Sequence, residues 1–234
     1  MKLSVLVPTL NEIEGMRVIL PQIKREWYHQ LIVVDGGSTD GTVEFAKVQG
    51  CQVILQKSKG VRRAYLEALP QITGDVVIPF SPDGNSLPEA IPRLGEKMKD
   101  GYDMVIASRY MEGARSEDDD LVTGFGNWMF TRLINLLFGS HYTDAMGMYR
   151  AWKPELLRTL DLDKESSFWP EKIVGVSGIG LDPLLAVRCA KRKLRVTEIP
   201  ANEPKRIGGV RKMLPFRCGL VILLEVLGER FYWR

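Results

Sequence analysis

The stretch FSPDGNS (80–86) places one carboxylate, Asp83, just after an apolar run, with Ser81 and Asn85 two residues to either side. What chemistry a lone carboxylate at the tip of a buried strand would serve depends on what surrounds it. Other polar residues follow apolar runs in the same way: Pro8, Asn11 and Glu12, then Asp35 with GGSTDGT (36–42), then Lys57 and Lys59, then Arg109. Asp and Gly also end strands because turns require them. Five such ends together are harder to assign to turns alone. GGSTDGT matches neither the Walker spacing nor G-x-G-x-x-G, so it is no phosphate cradle by spacing. A carboxylate at its start suits a ribose or base edge better. With only His29 and His141 in the chain, a histidine-built zinc site is not expected.

The elements that must position these residues read as an α/β fold. Strands are expected at 2–8, 31–35, 52–56, 75–80 and 103–108, with helices at 13–28, 40–48, 60–70 and 88–99 between them. Near-continuous apolar runs fit strands of a parallel sheet covered on both faces. Ligands then sit outside the carboxyl ends of the strands. From about Ser116 the rhythm changes: an acidic run SEDDD, a helix at 126–138, a strand-like GMYRAW and a helix at 181–192 predict an appended half with mixed strands. No internal repeat and no low-complexity linker is present.

At 234 residues the chain is long enough for one full α/β domain. A 45% hydrophobic fraction with 26% charged residues is ordinary for a globular protein, and a net charge of +3 gives no footprint for nucleic acid, which is not expected as a partner. Cys51, Cys189 and Cys218 lie far apart, without disulfide or zinc-knuckle spacing, so a reducing cytosol is the simplest setting. The N-terminal MKLSVLVPTLNE has too short an apolar run for a secretory signal.

The motifs resemble the family 2 inverting glycosyltransferases of the GT-A fold, and within them the polyprenyl-phosphate sugar transferases. The resemblance runs through VPTLNE (7–12), VVDGGSTDGT (33–42), KGVRRAYLEAL (59–69), GDVVIPFSPDGNSLPEAIPRL (74–94), DMVIASRY (103–110), DAMGMYRAWK (144–153) and KRIGGVRK (205–212), covering about residues 3 to 212. It implies a Rossmann-like, mostly parallel sheet with a nucleotide-sugar half over about 1–110 and an acceptor half over about 111–212. Pro8, Leu10, Glu12, Asp35, Lys59, Ser81, Pro82 and Asp83 are then nucleotide-binding. Asp83 and Asn85 hold Mg²⁺ or Mn²⁺. Where the family usually has Asp-x-Asp and a following glutamine, this chain has Ser81, Asp83 and Asn85.

The implied reaction moves a hexose, mannose or glucose, from a nucleotide-diphosphate sugar to a polyprenyl phosphate, with inversion. A metal ion stabilises the charge that builds on the departing diphosphate. A lipid phosphate is already anionic at neutral pH and needs cations in place of a base. Arg109, Arg150, Arg206 and Lys212 stand at the basic positions of that subfamily, although each alone also reads as a solvated surface charge. Asp83, Asp182 and Arg206 are the catalytic candidates. Asp182 is either a helix-start charge favoured by the dipole or a base that orients the acceptor. With Asp182 as base, a soluble hydroxyl acceptor is the alternative. A nucleotide-sugar-binding subunit without turnover is the other.

Residues 213–234 predict a helix too short in its apolar run to span a bilayer. Leu220, Leu223, Leu224 and Leu227 share one face, with Arg211, Lys212, Arg217 and Arg230, Tyr232, Trp233, Arg234 flanking. Basic and aromatic flanks fit a helix lying in a membrane interface, and a helix buried in the core or in a homodimer fits the same pattern. The resemblance favours the membrane: a cytoplasmic protein, peripheral on the cytoplasmic face.

Overall fold

The computed structural model describes residues 1–176, 179–208 and 215–231. Period-2 alternation along the first strand, β1 (Leu3–Thr9), sends Val5 and Val7 to one side and Leu6 to the other. Val5 and Val7 join Met16, Val33 and Phe80, while Leu6 joins Ile32, Val34, Tyr65 and Trp152. Both faces of the sheet are therefore covered.

The seven strands are β1, β2 (Gln30–Asp35), β3 (Gln52–Leu55), β4 (Val76–Pro79), β5 (Met104–Ser108), β6 (Arg150–Trp152) and β7 (Val196–Pro200), in the spatial order β3-β2-β1-β4-β6-β5-β7. All neighbours pair in parallel except β6, which runs antiparallel to β4 and β5. The order reverses at β1, which is flanked by β2 and β4, and a crevice opens there at the carboxyl ends. Because β6 is reversed, its start lies at the same edge. Ala107 donates to the Tyr149 carbonyl at 3.0 Å, which brings the loop before β6 beside the end of β5.

The strands expected from the sequence are present within two residues, and the reversed β6 is the mixed strand foreseen in GMYRAW. β7 was not foreseen. It lies at the edge of the sheet, half-buried throughout, so its VTEIP carries no apolar run to announce it. The helix expected over 13–28 ends early as α1 (Ile13–Ile19), followed by 3₁₀ turns with Pro21 at the start of the first. Proline lacks the N–H that would continue the ladder. α2 (Thr42–Val48), α3 (Val61–Ala68) and α4 (Ala90–Met98) fill the other crossovers.

α5 (Leu121–Phe138) starts five residues before the expected 126, because Asp120 accepts from the Val122 and Thr123 amides while the Thr123 hydroxyl reaches back to the Asp120 amide. This capping box ends the acidic run in a helix start. Short α6 (Leu156–Thr159) and α7 (Trp169–Val174), α8 (Asp182–Lys191) and α9 (Pro215–Phe231) complete the described elements.

α9 packs on α5, α7 and α8 with an unusual inward face. Cys218, Val221, Glu225, Gly228 and Glu229 are buried, whereas Phe216, Leu220, Leu227 and Phe231 point outward. Arg188 of α8 donates to Glu229 Oε1 from Nε at 2.8 Å and from Nη2 at 2.7 Å. Lys191 Nζ lies 3.5 Å from Glu229 Oε2. Of the four leucines assigned to one lipid face, Leu220 and Leu227 are exposed and Leu223 and Leu224 are half-buried. The flanking Arg211, Lys212, Tyr232, Trp233 and Arg234 lie outside the described residues.

Burial, with Glu171 nearby, pushes the Glu225 carboxyl up to about 8, against the opposing pull of Arg188 and Arg62. A carboxyl held above its unfolded value stabilises the fold most at acid pH and loses that contribution as pH rises through about 8. Glu225→Gln is therefore expected to remove a decline in stability, on the order of a few kcal/mol, between about pH 5 and 8. Melting curves of both proteins across that range check it, and parallel decline in both would place the titration elsewhere.

Candidate active site

Two loops at the carboxyl ends of β1 and β2 are knit together by short polar side chains. Asp35, buried at the end of β2, accepts from the Gly37 amide at 2.9 Å, the Ser38 amide at 2.8 Å and the Thr9 hydroxyl at 3.0 Å. Asp40 accepts from the amides of Ile13 and Thr42, both at 3.0 Å. Asn11 takes a left-handed conformation, φ 55°, and its side chain accepts from the Thr39 amide at 2.8 Å. The result is a rigid shelf bearing half-buried Pro8 and Glu12 and exposed Leu10. In this arrangement the Asp35 carboxylate ties the shelf together.

The turn after β4 is pressed against this shelf. A Cβ on Gly15 of α1 would fall 2.3 Å from the Pro82 carbonyl oxygen, so only glycine allows α1 to approach the Pro82–Asp83 backbone. Asp83 is buried to 8% exposure. The Asn85 amide donates to its Oδ1 at 3.3 Å, and Arg206 Nη1 lies 3.6 Å from its Oδ2. The Ile207 amide donates to the Asp83 carbonyl at 2.7 Å, and the Ile207 side chain packs over Gly84. Residues 206–207 thus lie across the turn.

The acidic run completes the edge. Arg206 donates to Asp118 Oδ2 at 2.7 Å and Oδ1 at 3.2 Å. Arg109, after β5, makes a two-pronged pair with Asp144, Nε to Oδ2 at 2.6 Å and Nη2 to Oδ1 at 3.0 Å. Its Nη1 lies 3.2 Å from Glu203 Oε2 and 3.6 Å from Asp119 Oδ2. Five carboxylates, of Asp83, Asp118, Asp119, Asp144 and Glu203, surround these two arginines among the described residues. Burial raises the Glu203 carboxyl above its ordinary range although Arg109 pulls it down. Asp144 is held low because Arg109 outweighs its complete burial. An edge with this surplus of negative charge favours a bound cation.

Beside the Asp83 turn lies a cavity of about 250 Å³, bounded by Ser81 and Asn85 on one side and by Arg109, Asn202 and Glu203 on the other, with Tyr149 among its apolar lining residues. Lys59 is exposed just before α3. Among the described residues no group of three or more Asp, Glu, His or Cys side chains forms a metal cage. The oxygen donors of Asp83, Asn85 and Ser81 nevertheless fit Mg²⁺ or Mn²⁺, which commonly use one or two carboxylates and complete their shell with substrate phosphates.

Two expected site residues are not in this crevice. Arg150 is completely buried and donates to the carbonyls of Gly147 at 2.9 Å, Ala145 at 3.2 Å and Asp182 at 3.1 Å. It is a structural tie between the loop before β6 and the start of α8, so the acceptor-phosphate role read from the sequence is corrected. Asp182 is buried beside it, Oδ1 3.5 Å from Arg150 Nε, and burial pushes its carboxyl up to about 6 against the pull of Arg150. Lys212 lies outside the described residues. Conversely, Asp118, Asp144 and Glu203 were not singled out. Asp144 stood at the head of DAMGMYRAWK, where an acid before a glycine-containing turn was the available signal.

A mostly parallel sheet with one reversed strand and a carboxylate turn at the switch point is the GT-A glycosyltransferase architecture. Glucosyl-3-phosphoglycerate synthase from Mycobacterium tuberculosis, crystallised with Mn²⁺, uridine diphosphate and glucosyl-3-phosphoglycerate, shares this fold with a TM-score of 0.65 at 22% identity, over 98% of this chain and 79% of that one. Residues 4–160 match the Glycosyl transferase family 2 model, and the chain belongs to that family. Among its relatives, the glycosyltransferase AglJ of Haloferax volcanii is 29% identical over 95% of this chain and 70% of its own length. The dolichyl-phosphate hexose transferase of the same organism is 30% identical over 94% and 90%.

Breaking a buried pair by removing one partner typically costs about 3–5 kcal/mol. Arg150→Ala is expected to lose stability of that order in urea unfolding. Wild-type stability with only transfer impaired would return Arg150 to the acceptor site.

Proposed function

We propose that the protein transfers a hexose from a nucleotide-diphosphate sugar to a polyprenyl phosphate, inverting the anomeric carbon. One observation carries the acceptor class. The acidic run whose Asp118 and Asp119 face Arg206 and Arg109 leads, through the Asp120 cap, straight into an exposed apolar stripe on α5. Leu121 is 94% exposed, Phe125 61%, Trp128 56% and Leu136 82%, with Arg132 exposed in the same row. α9 lies alongside, its Gly219 against the Phe130 ring, and presents Phe216, Leu220, Leu227 and Phe231 outward. Large exposed apolar surfaces mark contact with lipid or protein. A lipid whose phosphate must reach this edge gives the apolar surface its use. Among the described residues no helix is long and apolar enough to cross a membrane, and α5 and α9 suit contact from one side.

In the reaction an oxygen of the acceptor phosphate attacks the anomeric carbon while the bond from that carbon to the nucleotide's terminal phosphate oxygen breaks. Asp83 and Asn85 would hold a divalent ion, which when bound would offset the charge developing on the nucleoside diphosphate. The shelf of Pro8, Leu10 and Glu12 supports the nucleoside, and exposed Lys59 is assigned to the nucleotide from the sequence. Arg206, half-exposed beside Asp83, meets the acceptor phosphate. The relative that acts as a dolichyl-phosphate hexose transferase supports this class of acceptor. Buried Asp182 is poorly placed to serve as base, which agrees with an acceptor that needs none.

The test measures transfer of labelled mannose or glucose, from GDP or UDP donors with Mn²⁺, into organic-extractable product on vesicles containing polyprenyl phosphate. Asp83→Ala is expected to abolish metal-dependent donor binding, and Phe125→Ser with Trp128→Ser to reduce vesicle co-sedimentation and transfer while leaving donor binding intact. Product confined to the aqueous phase would overturn the lipid acceptor.

A further inference from the structure

We propose that Glu203 reads the hydroxyls of the donor sugar in the cavity beside Asp83, and so sets which hexose is transferred. The inference rests on the donor reading above and names the part of the site that selects the sugar. The cavity adjoins the place where the sugar–phosphate bond must lie, since Ser81 and Asn85 line it and flank Asp83 in sequence. At about 250 Å³ it falls below the usual range of complete small-molecule sites, which fits one sugar ring and leaves the nucleotide on the neighbouring shelf.

Its lining suits a neutral polyol. The charged residues lining it are one cation, Arg109, and one carboxylate, Glu203, and the other polar lining includes the hydroxyls and amides of Ser81, Asn85, Ser86 and Asn202. The apolar lining, which includes Met146 and Tyr149, suits the C–H face of a ring. Arg109 is already paired, through the Nε and Nη2 edge of its guanidinium, with both oxygens of Asp144. Its third nitrogen turns to Glu203 at 3.2 Å.

Glu203 is fixed by its backbone as well as its side chain. Its amide donates to the Arg115 carbonyl at 3.0 Å, its carbonyl accepts from the Glu117 amide at 2.7 Å, and Ser116 Oγ donates to Oε2. A carboxylate held this firmly at a cavity wall accepts from hydroxyls in one orientation. Sites that hydrogen-bond a substrate hydroxyl discriminate strongly against analogues lacking it.

The experiment uses the full chain with Mn²⁺ and calorimetric titration of GDP, UDP, GDP-mannose, GDP-glucose, UDP-glucose and UDP-galactose. Glu203→Gln keeps the shape and removes the charge. It is expected to weaken the preferred nucleotide sugar roughly tenfold or more, to leave the free nucleotide unchanged within about twofold, and to shrink the ratio between epimeric donors. Glu203→Asp, with the carboxylate restored, is expected to recover part of that ratio.

Equal weakening of free nucleotide and nucleotide sugar would overturn the proposal by making Glu203 a support of the whole site. So would unchanged nucleotide-sugar binding with altered affinity for decyl phosphate, which would assign the cavity to the acceptor anion. Wild-type protein that binds no nucleotide sugar would instead overturn the donor reading itself. Wild-type binding matched by Glu203→Gln would overturn only the sugar-reading role.

Discussion

The site depends on the matching of buried charge along one sheet edge. Asp83, Asp118, Asp119, Asp144 and Glu203 converge on Arg109 and Arg206, and burying carboxylates without cations or hydrogen-bond donors is costly. The pairing therefore dictates the path of the chain. Arg109 fastens the end of β5 to the loop that leads into β6. Arg206 fastens the segment after β7 to the acidic run before α5. Stretches far apart in sequence are held around one crevice because each carries part of the charge the others need.

Backbone contacts complete what the charges begin. The missing side chain at Gly15 lets α1 approach the Asp83 turn, and Asp35 and Asp40 satisfy amides that would otherwise leave the neighbouring loops loose. On the opposite flank the reversed strand brings Tyr149 and Gly147 to the same edge, with Arg150 filling the space behind them. The loop shelf and the cavity thus adjoin across a single turn. Under the proposed reading, nucleotide and sugar would be held by different elements and could be tuned separately.

Much of this was legible in the sequence. Five parallel strands, the polar residues at their ends and the central place of Asp83 followed from apolar runs and turn residues, which are local signals. What escaped notice was long-range. The pairing of Arg109 with Asp144 spans 35 residues and that of Arg206 with Asp118 spans 88, and no local pattern encodes either. Arg150 was read as an acceptor-phosphate cation because an arginine in sequence looks the same whether a ligand or buried carbonyl oxygens surround it. β7 escaped because an edge strand, half-wet along its length, carries no continuous hydrophobic run.

α9 departs from an ordinary surface helix in carrying two glutamates inward among Cys218, Val221 and Val226, with Phe216, Leu220, Leu227 and Phe231 toward the surroundings. Tolerance to change is accordingly reversed along it. Polar replacements at Phe216, Leu220 or Phe231 touch little of the packed interior and raise solubility. Inward Glu229, which a hydropathy profile would mark as expendable surface, is the position where a lone substitution leaves Arg188 buried without its counter-ion. Drift in this helix is then restrained at its charges and free at its oils, unless a membrane restrains the oils as well.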